Sequence, residues 1–251
     1  MRQKLFERNV SQQHSEDVKH HLFGDPHRRA SGLSDIILGG QDGLVNVLGV
    51  ILGVAAATHD PRIVLVAGLA ATFAESVSMG AVAYTSTLAD ADFYEAERAR
   101  EFRHISEVPH LEKDEVREIY ARKGFEGELL DRIVETITAN EDVWVAVMMS
   151  EEHQLTPTDR RQAVKSALVV GFSAVVGSLI PLAPFAFLSV DQSMWVAVAV
   201  TALVLFGVGA YKARTTVGHP GKSGLEMALI GTLSALVGYA VGALFKIPPT
   251  S

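Results

Sequence analysis

The stretch "IVLVAGLAATFAESVSMGAVAYTSTLADADFYEAERARE", residues 63–101, decides the fold of this chain. Its first part, Ile63–Leu88, has one charged side chain, Glu75, and exceeds the roughly 20 residues of helix that cross a bilayer. The second part is rich in charge and in good helix formers, and it contains neither proline nor glycine. We therefore predict one long helix that crosses a membrane and continues into water.

Four further apolar stretches are long enough to cross a bilayer as helices. They are Ile36–Ala57, Ala163–Leu188, Met194–Tyr211 and Leu225–Phe245. Hydrophobic residues make up 48% of the 251 residues, at the upper edge for a water-soluble protein. Because α-helices satisfy their own backbone polar groups in lipid, and no β pattern is evident, we predict an all-α polytopic protein with five transmembrane helices.

The charge of the chain is unevenly distributed. Of the 29 Asp and Glu residues, 17 fall within residues 91–153, where only eight Lys or Arg residues occur. An acidic block between apolar segments predicts a solvated module that attracts cations. The net charge of −7 argues against a nucleic-acid partner, and the lack of cysteine excludes disulfides, thiolate metal sites and cysteine nucleophiles.

Basic residues near the ends of the spans predict the orientation in the membrane. The opposite-side connections, "THDPRI" and "SVDQSM", are short and poor in such charge, and most of these basic residues fall on the other side: Arg28, Arg29, Arg98, Arg100, Arg160, Arg161, Lys165, Lys212, Arg214 and Lys222. This side is expected to be cytoplasmic, which places the C-terminus outside or in a lumen. The expected organisation is a cytoplasmic tail (1–33), spans 1 and 2 (34–90), a cytoplasmic module (91–158) and spans 3 to 5 (159–251). No cleavable signal peptide is apparent, and the compact chain favours a bacterial or archaeal inner membrane over a vacuole.

The acidic module contains three clusters of possible metal ligands. We predict helices from Pro109 to a stop at Gly124, over Glu126–Ala139, and from Glu141 to a point before Pro157. Residues three or four apart lie on the same face of a helix. The following side chains are therefore neighbours: Glu101 and His104, Glu112 and Glu115, and Met148 and Met149 with Glu152.

Convergence of these clusters would form a carboxylate-rich site for a divalent metal, and imidazole and thioether favour a transition metal. The alternative stays open that the glutamates form a solvated helix face and that Met148 is core beside Trp144.

Two acidic residues lie inside predicted spans, where an ionisable group is costly and indicates function. Asp42 shares a stripe with Asn46 and small residues, and Glu75 lies one helical turn before Met79. A buried carboxylate can exchange a proton for a metal ion, which is the physical basis of antiport. Alternatively, Asp42 only caps or pairs near the membrane interface. The small residues Gly39, Gly40 and Gly43 favour close approach of another helix.

Several runs of the sequence together resemble the vacuolar iron transporter family. They are "SDIILGGQDGLVNVLGVILGVAAAT", "AGLAATFAESVSMGAVAYTS", "ADFYEAERARE", "VWVAVMMSEE" and "KARTTVGHPGKSGLEMALIG", within Ser34 to Gly242. The resemblance implies a five-span homodimer that exports Fe²⁺ from the cytosol in exchange for protons. It also implies a cytoplasmic three-helix metal-binding module, no prosthetic group, and a secondary active transporter rather than an enzyme.

Carried over by position, the family's cytoplasmic metal site falls on seven residues: Glu101, His104, Glu112, Glu115, Met148, Met149 and Glu152. Its translocation path falls on Asp42 and Met79. Many members have glutamate where this chain has His104, and imidazole adds pH sensitivity. Many also have glutamate where this chain has Ala71, and Glu75 is placed to substitute for it. The expected path is therefore Asp42, Asn46, Glu75 and Met79.

Other functions remain open at this stage. Mn²⁺ is the nearest rival cargo, Co²⁺ and Zn²⁺ are further candidates, and a membrane-bound metal sensor or store would bind iron without moving it. A ferroxidase ranks last, since paired Glu-x-x-His motifs are lacking. The histidines of the N-terminal tail form either a polar arm without chemistry or a further metal site: His14, His20, His21 and His27.

Overall fold

The structure is a computed structural model, and it describes residues 30–216 and 218–245. The histidines of the N-terminal tail lie outside these residues. The described part of the chain is helical and contains no strand. Its α-helices are α1 (Ala30–Thr58), α2 (Pro61–Glu107), α3 (Pro109–Arg122), α4 (Gly127–Thr138), α5 (Glu141–Val147), α6 (Arg161–Leu182), α7 (Val190–Thr215) and α8 (Pro220–Leu244).

Five of these segments are long and apolar enough to cross a membrane: Gly32–Thr58, α2, Arg161–Ala186, α7 and α8. They coincide with the five spans predicted from the sequence, which confirms the prediction of five apolar helices. Large apolar side chains such as Phe172 and Trp195 remain exposed, with 71% and 78% of their surface accessible. A surface of this kind is suited to contact with lipid.

The helix α2 runs unbroken for 47 residues through the quoted stretch, as predicted. It ends just before Pro109, because a proline disfavours the helical conformation in the preceding residue, and Val108 is non-helical with φ of −135° and ψ of 51°. Pro109 then begins α3, where its missing N–H has no helical partner to lose. Gly124 follows α3 with φ of +93°, a conformation that glycine adopts readily, so the predicted stop is confirmed.

The last helix of the acidic segment differs from the prediction. A single α-helix was expected from Glu141 until shortly before Pro157, but α5 ends at Val147. A π-helical turn, Met148–Glu152, follows it, and the His153 N–H bonds the Met148 carbonyl at 3.2 Å. Gln154, with φ of +55°, then ends the helical path. The prediction was wrong because it assumed α-helical periodicity throughout.

The described residues divide into two compact units: those up to 76 with those from 172 onward, and residues 77–171. In the first unit, α1, α7 and α8 pack together around Ile51, Leu52 and Ala197. The crossing of α1 and α8 is close: a Cβ atom on Gly238 or Gly242 would collide with the backbone of Gly49 or Gly53. Small residues therefore set the spacing of these helices.

A second close crossing in the first unit joins α1 to α6. A Cβ atom on Gly43 would collide with the Ala174 carbonyl, and one on Gly177 would collide with the Gly40 carbonyl. The predicted role of Gly40 and Gly43 in close helix approach is thus observed in the structure.

The second unit has its own apolar core. Its buried members come from α2, α3, α4, α5 and the π-helical turn: Ile105, Val116, Ile119, Leu130, Val134, Ile137, Trp144, Val145, Met148 and Met149. Arg117 on α3 bonds Asp131 on α4 at 2.6 Å, and Lys123 lies 2.5 Å from Glu151 of the π-helical turn. These contacts hold α3, α4 and the π-helical turn around one centre.

Candidate metal centre

Glu101 lies near the end of α2 and is almost completely buried, with 2% of its surface exposed. Its Oε2 atom has no hydrogen-bond partner among the described residues. Leaving a buried carboxylate oxygen unpaired is costly, unless a cation or a proton compensates it. Glu101 is therefore the residue around which a cation site would form.

His104 and Glu112 face Glu101 on one side. His104 Nδ1 lies 3.4 Å from Glu112 Oε1 and 4.0 Å from Glu101 Oε1. Glu112 is 4% exposed, and its Oε2 atom likewise has no partner in the described part of the chain. One ligand atom from each of these residues lies within 4.8 Å of the others, close enough to hold one metal ion.

A second group of three shares Glu101 and adds Glu152 and His153. His153 Nε2 lies 2.9 Å from Glu101 Oε1. His153 was not predicted from the sequence, since α-helical spacing from Met148 and Met149 points to Glu152. A π-helical turn instead bonds the residue five positions on, and this turn places His153 near Glu101.

The remaining members of the predicted set are placed differently. Glu115 is half-buried and acts on Glu112 and Glu152 through its charge, but it belongs to neither group of three. Met148 and Met149 are 0% and 1% exposed and lie in the apolar core of the second unit. Their role as ligands stays a prediction.

The protonation of the cluster reflects crowding of negative charge. Burial raises the pKa of Glu112 to about 7, with further contributions from Glu115 and Glu101. Burial also raises the pKa of Glu152, and Glu115 adds to it. Burial lowers the pKa of His153, but its hydrogen bond to Glu101 and the nearby carboxylates outweigh this and raise it. Glu112 is therefore partly protonated near neutral pH, and a cation bound there would displace its proton.

Residues of the predicted translocation path meet in the first unit. Asn46 Nδ2 on α1 donates to Glu75 Oε1 on α2 at 3.1 Å. Asp42 lies one helical turn before Asn46 on α1. Met79 falls in the second unit, further along α2. Ala71, which stands where many members of the family that the sequence resembles have glutamate, packs against the apolar cluster around Ile51. No carboxylate therefore lies at this position.

Membrane-length helices and a second unit with buried carboxylates define the class of this chain as a polytopic helical membrane protein. A family model, described as the VIT family, matches residues 33–243. The chain belongs to this family.

Similar proteins cover most of the chain. It is 33% identical over 234 residues to Vacuolar iron transporter 1 of Tulipa gesneriana, covering 93% of this chain and 92% of that protein. It is 35% identical over 208 residues to Vacuolar iron transporter 1 of Oryza sativa subsp. japonica, covering 82% of each. The Plasmodium falciparum Vacuolar iron transporter is 30% identical over 250 residues, covering 94% of this chain and 92% of that protein. These plant and parasite relatives give no support to the expected bacterial or archaeal membrane.

Proposed function

We propose that this chain exports Fe²⁺ from the cytosol across a membrane in exchange for protons. The observation that carries the proposal is the family match over residues 33–243, together with relatives named vacuolar iron transporters. The buried carboxylates Glu101 and Glu112 support it, because their unpartnered oxygens suit a divalent cation. The chain acts as a secondary active transporter and a homodimer, without a prosthetic group.

Exchange takes place at the acidic pair in the spans. Asn46 of α1 contacts Glu75, and Asp42 lies one helical turn before Asn46 on the same helix. Two ionised carboxylates held near each other away from water repel strongly, so this pair holds either a proton or a cation. Asn46 fixes the Glu75 carboxylate, and Met79 supplies a thioether further along the path.

Metal reaches the path from the acidic module, residues 91–158, which is cytoplasmic by the distribution of basic residues. The module gathers the metal with carboxylates, His104 and the two methionines. A concentration of negative charge raises the local concentration of cations and hence the rate of loading. Loading and translocation are separable steps, since the two sets of residues lie in different units of the chain, apart from Met79.

Manganese is the nearest alternative cargo. Carboxylates and water suit Mn²⁺ well, whereas imidazole and thioether favour ions later in the first transition series. His104 is half-buried beside Glu112, and this placement favours Fe²⁺ over Mn²⁺. The same argument admits Co²⁺ and Zn²⁺ as further cargoes.

A metal sensor or store is the second candidate function. The two overlapping groups around Glu101 favour it, since they would bind metal whether or not anything crosses the membrane. Proteoliposomes with an imposed pH gradient decide between the functions when Fe²⁺, Mn²⁺, Co²⁺ and Zn²⁺ are compared. We expect proton-driven Fe²⁺ flux that Asp42→Ala abolishes while metal binding persists. The control Asp191→Ala alters an exposed carboxylate at the start of α7 and should transport normally. Binding without flux in every protein would establish the sensor or store.

A further inference from the structure

We propose that His153 is an additional metal ligand, and that His104 and His153 make the centre around Glu101 a site with two imidazoles. This inference rests on the proposed function, because it names the class of ion that the same module selects. The site would select divalent first-row ions that favour nitrogen ligands, namely Fe²⁺, Co²⁺ and Zn²⁺. It would bind Mn²⁺ less well.

The separation of His153 and Glu101 suits chelation. Ligand atoms about 2.1 Å from an ion and at right angles to each other lie roughly 3 Å apart. His153 Nε2 and Glu101 Oε1 are 2.9 Å apart, so an ion could bind both with little movement of either. Glu152 completes the group, with one carboxylate oxygen within 4.8 Å of the other two ligand atoms.

Two buried carboxylate oxygens have no partner among the described side chains, and this favours a bound cation. Glu101 Oε2 and Glu112 Oε2 are buried and lack hydrogen-bond partners among the described residues, although His153 and His104 contact the other oxygen of each carboxylate. If His153 served only to neutralise Glu101, the buried Oε2 would remain uncompensated. The two groups share Glu101, so a metal ion bound there compensates it, with one ring from each group once the groups close around the ion.

The backbone holds His153 in place for this role. Its N–H bonds the Met148 carbonyl at 3.2 Å, and the Leu155 N–H bonds the Met149 carbonyl at 2.9 Å. Between them Gln154 adopts φ of +55°, which is unfavourable for a side chain larger than hydrogen. Such π-helical turns occur frequently at functional sites. A preordered ring loses less conformational entropy on binding metal.

The competing role for His153 is that of an outer residue that only orients Glu101. Such residues hydrogen-bond a ligand without touching the metal. The two roles differ in the number of imidazole rings bound to the ion, which X-ray absorption spectroscopy measures directly. They do not differ reliably in affinity alone, since either role affects it.

The experiment uses the purified full-length chain in detergent with one equivalent of Co²⁺. We expect two imidazole ligands in the wild type and one in His153→Gln, with Co²⁺ affinity lowered by about 10-fold to 100-fold. Mn²⁺ affinity should fall less. The control His110→Gln alters an exposed histidine of α3 and should keep both rings. An unchanged ring count in His153→Gln overturns the proposal.

His104→Gln gives a second, independent reading should His153→Gln not fold. The Co²⁺ bound by this variant should keep one imidazole ligand, which His153 supplies. If no imidazole is bound, the proposal is overturned. Failure of transport is distinguishable from failure of this inference. Two imidazoles on the metal without metal flux in vesicles would support His153 as a ligand and contradict the proposed transport. Metal flux with a single imidazole on the metal would support transport and contradict the role of His153.

Discussion

The side-chain amide of Asn46 on α1 donates a hydrogen bond to the Glu75 carboxylate on α2, with 3.1 Å between Nδ2 and Oε1. Asp42 lies one helical turn before Asn46 on α1. Ionisable side chains within membrane spans are rare, and they mark pathways for ions and protons. This contact is the structural basis for the proposed exchange of metal for protons.

Glu75→Gln tests whether the charge at this contact drives transport. Glutamine keeps the size of the side chain and can still accept the hydrogen bond from Asn46, but it cannot exchange a proton. We expect at least about a tenfold loss of proton-driven Fe²⁺ flux, the effect of removing one essential charged group. Glu226→Gln, an exposed acidic residue of α8, is the matched control. Equal flux in both variants would remove Glu75 from the path.

Glu101→Gln tests the centre of the acidic module. The change removes the charge of a buried carboxylate shared by both groups of ligands, so both should lose affinity for metal. Calorimetry on the full-length chain should show Co²⁺ affinity reduced by about 100-fold or more, the upper range for disrupting a metal site. Glu107→Gln, an exposed residue on the same helix, should bind as the wild type does. Wild-type affinity in Glu101→Gln would place the site elsewhere.

Metal binding should depend on pH through Glu112. Its pKa is raised to about 7 by burial and by neighbouring carboxylates, so below that pH it is largely protonated. A metal ion requires the ionised form, so the proton release from Glu112 on binding should be large at pH 6 and small at pH 8. Affinity should rise as the pH rises toward 7 and then level off. Calorimetry in buffers of different ionisation enthalpy measures the number of protons released on metal binding. The substitution Glu112→Gln should abolish the contribution of Glu112 to that number. Proton release that does not change between pH 6 and pH 8 would contradict this prediction.

Met148→Leu separates a ligand from a core residue. Leucine conserves volume, and such a swap in a core usually costs less than about 1.5 kcal/mol. If the thioether binds the metal as predicted, the affinity for Fe²⁺ falls while thermal stability changes little. Ile119→Leu in the same core is the control for packing alone. An affinity that Met148→Leu leaves unchanged would assign this methionine to the core only, where its complete burial already places it.

Gly238→Leu tests the close crossing of α1 and α8. The added side chain would meet the backbone of Gly49, which cannot move without separating the two helices. Overpacking typically costs about 1 to 3 kcal/mol and more where backbone blocks it, so we expect a lower unfolding temperature in detergent. Gly207→Leu is the matched control, since nothing lies within 4 Å of the added Cβ. Equal stability of the two variants would show that the crossing is not close.

Much of the fold was predictable because each span carries its own signal. Lipid excludes charge and requires satisfied backbone groups, so apolar runs such as Ile63–Leu88 can only be helices. Proline and glycine mark ends for similarly local reasons, as Pro109 and Gly124 do. The helix crossings at Gly43 and Gly238 were harder to predict. A small residue permits another helix to come close, but it does not identify which helix.

The centre was predictable only where α-helical spacing holds. Glu101 with His104 follows that spacing on α2, and the structure brings Glu112 of α3 beside them. His153 was missed because the π-helical turn shifts the register by one residue. Burial of the methionines in the core was left open by their spacing, which suits a ligand and a core residue equally.

The most direct measurement imposes an Fe²⁺ gradient, with no initial pH gradient, on sealed vesicles that contain the protein and a trapped pH indicator. If acidic residues in the spans exchange protons for metal, iron moving one way must carry protons the other way. We expect a change of internal pH with the wild type and none with Asp42→Ala or Glu75→Gln. Iron movement without any proton movement would contradict the account.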